Sequence, residues 1–184
     1  MVNGKSCGHT PPTALAIVPL DPADWEAHRT VRLEMLKDSP DAFWGSYEDA
    51  LQLSPDDWRA QLTGTRIVLH ARDAKSDDPL GCLVLLLTGY TEDMPLAEDE
   101  AILTKIWVRP AARGRGVSAA LVREAARLAE QLGRPRLLLD VDDSNTAAIR
   151  SYERLGFRAT GNGYPREGTG THWTEYSAPA SQLS

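Results

Sequence analysis

The run Lys105-Ile106-Trp107-Val108-Arg109-Pro110-Ala111-Ala112-Arg113-Gly114-Arg115-Gly116-Val117-Ser118 constrains this chain more than any other stretch. A strand pattern enters Pro110, a tight basic loop with two glycines follows, and helical periodicity begins at Val117. Such a strand–loop–helix turn aims several backbone N–H groups and a helix dipole at one spot, which suits an anionic phosphate. Gly114 and Gly116 would let a ligand approach the backbone, and Arg113 and Arg115 add positive charge; glycine serving turn geometry alone is the competing reading. The loop carries no Gly-Lys-Ser/Thr, so it is not a nucleoside-triphosphate P-loop. The three-glycine dinucleotide fingerprint has no match either.

The rest of the chain fits around this unit as one domain. Its 184 residues fall in the single-domain range. The expected division is a loose tail over 1–13, a domain over 14–178 and a short C-terminal tail over 179–184. Leu15–Leu20 reads as a strand closed by proline. Trp25, His28, Val31, Arg32, Met35 and Leu36 recur at three- and four-residue spacing, as an amphipathic helix requires. Ser54-Pro55-Asp56-Asp57 places an N-cap, a proline and two acids where a second helix would start. Strands follow over Arg66–Arg72, Leu80–Tyr90 and Ala101–Val108. Val117, Leu121, Val122, Ala125, Leu128, Ala129 and Leu132 form one face of a long helix, stopped by Gly133 and Pro135. Arg136–Val141 reads as a buried strand and Asn145–Leu155 as a helix ending at Gly156. Phe157–Thr160 and His172–Ser177 read as final strands around a glycine-rich loop. Mixed strands and helices with a strand–helix–strand unit predict an α/β (α+β) domain.

Composition excludes several function classes. A formal net charge of -6 argues against nucleic-acid binding, which would show a basic excess. The longest apolar run, Cys82–Leu87, is far short of the ~20 residues of a spanning helix, so no membrane partner is expected. No apolar stretch follows Lys5 that could serve as a signal peptide. Cys7 and Cys82 form neither a metal spacing nor a disulfide framework; Cys82, in an apolar run, reads as a small core residue. A reducing, cytoplasmic setting and no metal are the expectations.

Two motifs together resemble a known family. Arg113-Gly114-Arg115-Gly116-Val117-Ser118 resembles the Arg/Gln-x-x-Gly-x-Gly/Ala loop of the GNAT superfamily of acyl-CoA N-acyltransferases, with Ser118 standing where the family has Gly or Ala. About thirty residues on, Asn145-Thr146-Ala147-Ala148-Ile149-Arg150-Ser151-Tyr152-Glu153-Arg154-Leu155-Gly156-Phe157 is similar to that family's Asn-x-x-Ala-x-x-x-Tyr-x-x-x-Gly-Phe signature. The resemblance covers roughly residues 15–176, and Pro40-Asp41-Ala42-Phe43 with Gly45-Ser46 looks like the loop that small-molecule members place over the acceptor.

The resemblance implies a mixed, mostly antiparallel sheet of six to seven strands flanked by about four helices, with acetyl-CoA as co-substrate. A neutral amine attacks the thioester, an oxyanion forms and a thiolate leaves, so an oxyanion donor, an acid and a proton acceptor are needed. By resemblance, backbone groups of Ile106, Trp107 and Val108 hold the pantetheine and polarise the carbonyl. Backbone N–H groups of Arg113, Gly114, Arg115, Gly116, Val117 and Ser118 hold the pyrophosphate. Tyr152 is the expected acid at the sulfur, since a phenol near pKa 10 is protonated at neutral pH; packing against Ile149 and Leu155 is its alternative. Asn145 either contacts the coenzyme or caps its helix.

The base is not legible in the sequence: Glu100 and Glu48 are candidates, His172 and Glu175 follow, and a water relay needs none of them. Glu100 is expected on one alternating face with Ile102, Thr104 and Ile106. Phe43, Trp44, Ser46, Tyr47, Glu48 and Tyr164 are expected to line an acceptor pocket of aromatic and acidic character, suited to an amine. Trp25 and Trp58 are expected in the core. A small-molecule amine is the expected acceptor, with a protein N-terminus or lysine, or a non-catalytic acyl-CoA sensor, as alternatives. A homodimer is expected by resemblance alone.

Overall fold

A computed structural model describes residues 14–91, 93–165 and 170–183; the tail expected over 1–13 lies outside them. The chain runs β1 (Leu15–Pro19), α1 (Trp25–Asp38), α2 (Tyr47–Leu51), α3 (Pro55–Ala60), β2 (Arg66–Asp73), β3 (Pro79–Leu86) and β4 (Glu100–Val108). It continues with α4 (Val117–Gln131), β5 (Arg136–Asp142), α5 (Thr146–Leu155), β6 (Arg158–Pro165) and β7 (His172–Pro179). The strands form one seven-stranded sheet in the order β1-β2-β3-β4-β5-β7-β6. Every neighbouring pair is antiparallel except β4 and β5. Among the described residues no helix is long and apolar enough to cross a membrane.

Each face of the sheet is covered by helices. Leu69, Leu83, Leu85, Leu103, Leu137 and Leu139 point to one face and pack on Val117, Leu121, Val122 and Ala125 of α4, with Phe157 closing the cluster. On the other face Val68, Val84, Ile102 and Leu138 pack under Leu20, Leu62 and Trp25. Trp58 of α3 is fully buried against Leu36 and Ala50, and Trp25 is partly buried, as expected of both.

The feature that shapes the site is a bulge in β4. Cys82 pairs with Trp107 and Val84 with Thr104, so Lys105 and Ile106 together oppose Leu83. Lys105 takes φ 53, a left-handed conformation rare for a side-chain-bearing residue. An extra residue flips every later side chain to the opposite face. Ile102 therefore packs with Val68 and Leu138, while Ile106 packs with the α4 cluster. The single face expected for Glu100, Ile102, Thr104 and Ile106 is thus corrected at Ile106.

Beyond the bulge the sheet opens. β4 and β5 pair only over Glu100–Ile102 and Arg136–Leu138; past that point they diverge, and β5 bonds on its other edge to β7.

Several boundaries differ from the sequence reading. α2 occupies a stretch to which the sequence reading assigns no element, because five residues are too few to show a period; Ser46 caps it, its hydroxyl accepting from the Asp49 N–H at 3.0 Å. β3 ends at Leu86 rather than reaching Tyr90. β6 runs on to Pro165 past a register shift between Ala159 and Gly163. Of the tail expected over 179–184, the described residues 179–183 are part of the domain: Pro179 pairs with Arg136, and Ala180 and Leu183 are buried in the core cluster that α4 shares.

Candidate active site

The cleft between the diverging strands is walled by Thr104, Lys105 and Ile106 of β4, Leu139–Asp142 of β5, Asn145 and Tyr152 of α5, Ala42 and Phe43 of the loop after α1, and Trp173. It encloses about 120 Å³. The two motif segments meet here: one builds β4 and the start of α4, the other supplies α5.

At the α4 end, Gly114 and Gly116 have φ 76 and φ 78. A Cβ added at either would meet nothing within 4 Å, so these positions need glycine for conformation rather than for room inside the chain. Side chains cap α2, α3 and α5, but none caps α4. The first-turn N–H groups of a helix have no partner within it, which leaves those of α4 aimed outward at the loop with the positive end of its dipole. Ser118, the second residue of α4, is half-buried there.

Two ion pairs fasten this loop to α1. Arg109 grips Glu34 in a bidentate pair, with Nη2 at 2.7 Å and Nε at 3.0 Å from Oε2. Arg113 pairs with Asp38, and the Trp107 indole donates to the same carboxylate at 2.8 Å. Burial pushes the Asp38 carboxyl up, but hydrogen bonds from Trp107, Ser39 and Arg113 outweigh it and hold its pKa below the ordinary range. The remainder of Arg113 is also engaged internally, its Nε on the Val108 carbonyl at 3.1 Å and its backbone N–H on Pro110 at 3.2 Å. Arg113, expected at the phosphate, thus acts as an anchor. The side chain of Trp107 packs on the α1 face with Val31, Met35 and Cys82. The side chains of Ile106 and Val108 pack toward α4.

Tyr152 projects from α5 into the cleft and packs edge-on against Phe157, with ring centroids 6.1 Å apart. Burial pushes its phenol up to about 12, so it is protonated at neutral pH. Asn145 caps α5, its Oδ1 accepting from the Ala148 N–H at 3.1 Å, and it also lines the cleft.

Asp140 was not singled out from the sequence. It lines the cleft and also a second cavity of about 390 Å³, which Tyr90, Tyr164, Glu100 and Glu175 share. The Tyr164 hydroxyl donates to Asp140 at 3.2 Å, and Tyr90 is a second donor. Burial raises the Asp140 carboxyl despite both tyrosines. Burial and Asp140 also raise the Tyr90 and Tyr164 phenols. A buried strand pattern ending in two acids, Leu-Leu-Leu-Asp-Val-Asp over 137–142, is the only trace of Asp140 in the sequence.

The carboxylates expected as bases are placed elsewhere or occupied. Glu100 lies two pleats below the cleft, paired with Arg136 at 3.1 Å. Glu175 accepts from Thr160 at 2.7 Å and from Asn162 at 3.0 Å. His172 is exposed and pairs with Asp143 at 3.1 Å. Glu48 is exposed on a surface groove of about 750 Å³, whose walls also carry Phe43, Trp44, Ser46 and Tyr47. Trp44 is 67% exposed there; of this group only Phe43 also reaches the cleft. The Ser46 hydroxyl is committed to capping α2.

Comparison with known proteins gives concordant results. The family model described as Acetyltransferase (GNAT) family matches residues 32–157. A mycothiol acetyltransferase of Salinispora tropica is 51% identical over 81 residues, 44% of this chain and 26% of that protein. The peptidyl-lysine N-acetyltransferase YjaB of Salmonella typhimurium is 33% identical over 85 residues, 46% of each chain. The chain therefore spans from about a quarter to under half of the length of these curated relatives. Among solved structures, yncA of Salmonella typhimurium, solved with its cofactor acetyl-CoA, superposes with a TM-score of 0.68 at 18% identity, over 91% of this chain and 94% of that one.

Proposed function

The chain belongs to the GNAT acetyltransferase family, and on that premise we propose that it moves an acetyl group from acetyl-CoA to the primary amine of a small molecule, with Tyr152 at the leaving sulfur and Asp140 at the amine. The observation that carries this reading is the shared wall: Tyr152 and Asp140 line one cleft, and of the acids on that cleft Asp140 alone also lines the adjoining cavity.

The uncapped start of α4 over Gly114–Ser118 offers N–H donors to the pyrophosphate, and the β4 edge that β5 leaves unpaired offers backbone groups to the pantetheine arm. That edge also supports placing the carbonyl near Ile106, where a backbone N–H can bond the developing oxyanion. As the thiolate forms, the Tyr152 hydroxyl donates to the sulfur and supplies its proton. A phenol near 12 holds its proton until negative charge has built up at the sulfur, so the hydrogen bond precedes transfer. Asp140 accepts the proton from the ammonium before attack or from the tetrahedral adduct after it. Its raised pKa makes it a stronger base than an exposed aspartate, and its tyrosines fix its orientation.

The wide surface groove beside Trp44 and Glu48 favours a second reading, in which a lysine on a protein is the acceptor. Calorimetric titration with acetyl-CoA, then thiol release across a panel of small amines and lysine peptides, tests both. Micromolar acetyl-CoA binding with thiol release for small amines is the expected result. Release for peptides alone would favour the second reading, binding without any release would make the protein a sensor, and no binding would end the assignment.

A further inference from the structure

Three cations meet beside the cleft with no carboxylate paired to any of them among the described residues. A cavity of about 290 Å³ is lined by Arg32, Arg66 and Lys105, together with Gly45, Ser46 and Asp49. Arg32 is only 7% exposed. Its guanidinium donates to the Trp44 carbonyl at 2.9 Å and contacts the Met35 sulfur at 3.6 Å, and no ion pair among the described residues neutralises it. Among the described residues neither Arg66 nor Lys105 forms a salt bridge. Asp49, the carboxylate on this wall, is exposed and takes the Ser46 hydroxyl at 2.7 Å. Burial, then Arg32 and Arg66, lower the Lys105 pKa to about 8, as expected of a cluster lacking a counter-charge. In a chain of net charge -6, converging cations left unpaired are not a consequence of composition. Uncompensated buried charge is costly, and an arriving anion would remove that cost.

The position matters as much as the charge. Lys105 sits at the β4 bulge and lines both this cavity and the Tyr152 cleft. A bulge re-aims a side chain, and here it places the ammonium at the junction. Asp140 faces the same cleft from β5. One molecule entering from this side therefore meets an acid at one end and three cations at the other.

Resting on the acetyltransferase reading above, we infer that the acceptor is an amine that also carries an anionic oxygen group, a carboxylate or a phosphate, held by Arg32, Arg66 and Lys105 while Asp140 faces the amine. Guanidinium groups bind both anions through paired, charge-assisted hydrogen bonds.

The test follows thiol release from acetyl-CoA with three acceptors built on one primary alkylamine: the plain amine, its terminal carboxylate and its terminal phosphate ester. The anionic acceptors are expected to exceed the plain amine by about tenfold or more in kcat/KM, and the better of the two identifies the anion. Arg66→Gln, at an exposed position, and Lys105→Gly, which suits the left-handed backbone, are expected to move that ratio toward one. The change should lie in acceptor KM, with acetyl-CoA affinity measured calorimetrically alongside. Thiol release at equal rates for all three acceptors overturns the inference and leaves the acetyltransferase reading standing. If none is turned over, the three compounds are titrated into the coenzyme A complex. Binding of an anionic member that Arg66→Gln weakens supports the inference, and no binding overturns it. Failure to bind acetyl-CoA removes the reading and the inference together.

Discussion

In the proposed reaction, Tyr152 and Asp140 divide the proton chemistry by environment. Both are shifted by burial, but in a phenol the raised value secures the proton and in a carboxylate it strengthens the base. Tyr152→Phe keeps the ring that packs on Phe157 and removes only the hydroxyl. Turnover should fall by about a hundredfold, while acetyl-CoA affinity stays within about twofold; steady-state rates and calorimetry read the two separately, and unchanged turnover would remove Tyr152 from the mechanism. In that proposal the working form of Asp140 is the carboxylate, so kcat/KM is expected to fall as pH drops through its raised pKa. That acid limb should lie above the ordinary aspartate range, with the ionisation of the amine superimposed on it. Asp140→Asn should lower kcat/KM and abolish the enzyme-derived limb. A profile for Asp140→Asn parallel to wild type would transfer the proton to water or another group.

At the scale of elements, β4 decides the site, and the deciding residue is Lys105. With φ 53 a side-chain-bearing residue is strained there, and a β-branched one most of all. Lys105→Gly should be more stable than Lys105→Val by about 1–2 kcal/mol, read from urea unfolding midpoints. Equal stability would mean that β4 shifts its register rather than holding the bulge. This residue also explains what the sequence could and could not convey. The strand itself, α4, the Gly114–Gly116 loop and α5 were legible because hydrophobic period and turn residues are local signals. A bulge at a lysine leaves no such mark, so alternation counted from Glu100 went one residue out of phase at Ile106. The proposed base stayed illegible for a related reason: burial in the folded sheet raises Asp140, and the tyrosines that orient it, Tyr90 and Tyr164, lie 50 and 24 positions away in the chain. Arg113, too, could be read as basic but not as bound to Asp38 of α1.

For the whole molecule, acid stability is set by the face that carries α1. His28 and His70 lie there with 4% and 0% exposure, their rings 6.1 Å apart. Burial lowers His28 to about 4, against the hydrogen bond its Nε2 donates to the Gln61 side-chain oxygen and with Lys105 and Arg32 adding to the shift. Burial, then His28 and Arg72, lower His70 to about 3, with Asp24 opposing. Both are neutral in the folded state at pH 5, whereas in the unfolded chain each binds a proton below about 6.5. The unfolded state therefore takes up more protons as pH falls, and stability drops from about pH 6.5 until the folded values are reached. Between pH 7 and pH 5 each histidine should cost about 2 kcal/mol. Carboxylates with lowered values, such as Asp38 and Glu124, lose their contribution only at lower pH, and the raised Asp140 acts in the opposite sense and trims the loss. The two nitrogens of His70 have no hydrogen-bond partner among the described residues, so an apolar side chain of similar size can replace the ring. Urea unfolding of His70→Leu at pH 7 and pH 5 should show a drop smaller than wild type by about 2 kcal/mol. An undiminished drop would place the acid sensitivity outside the α1 face, because one of the two groups that must charge there would already have been removed.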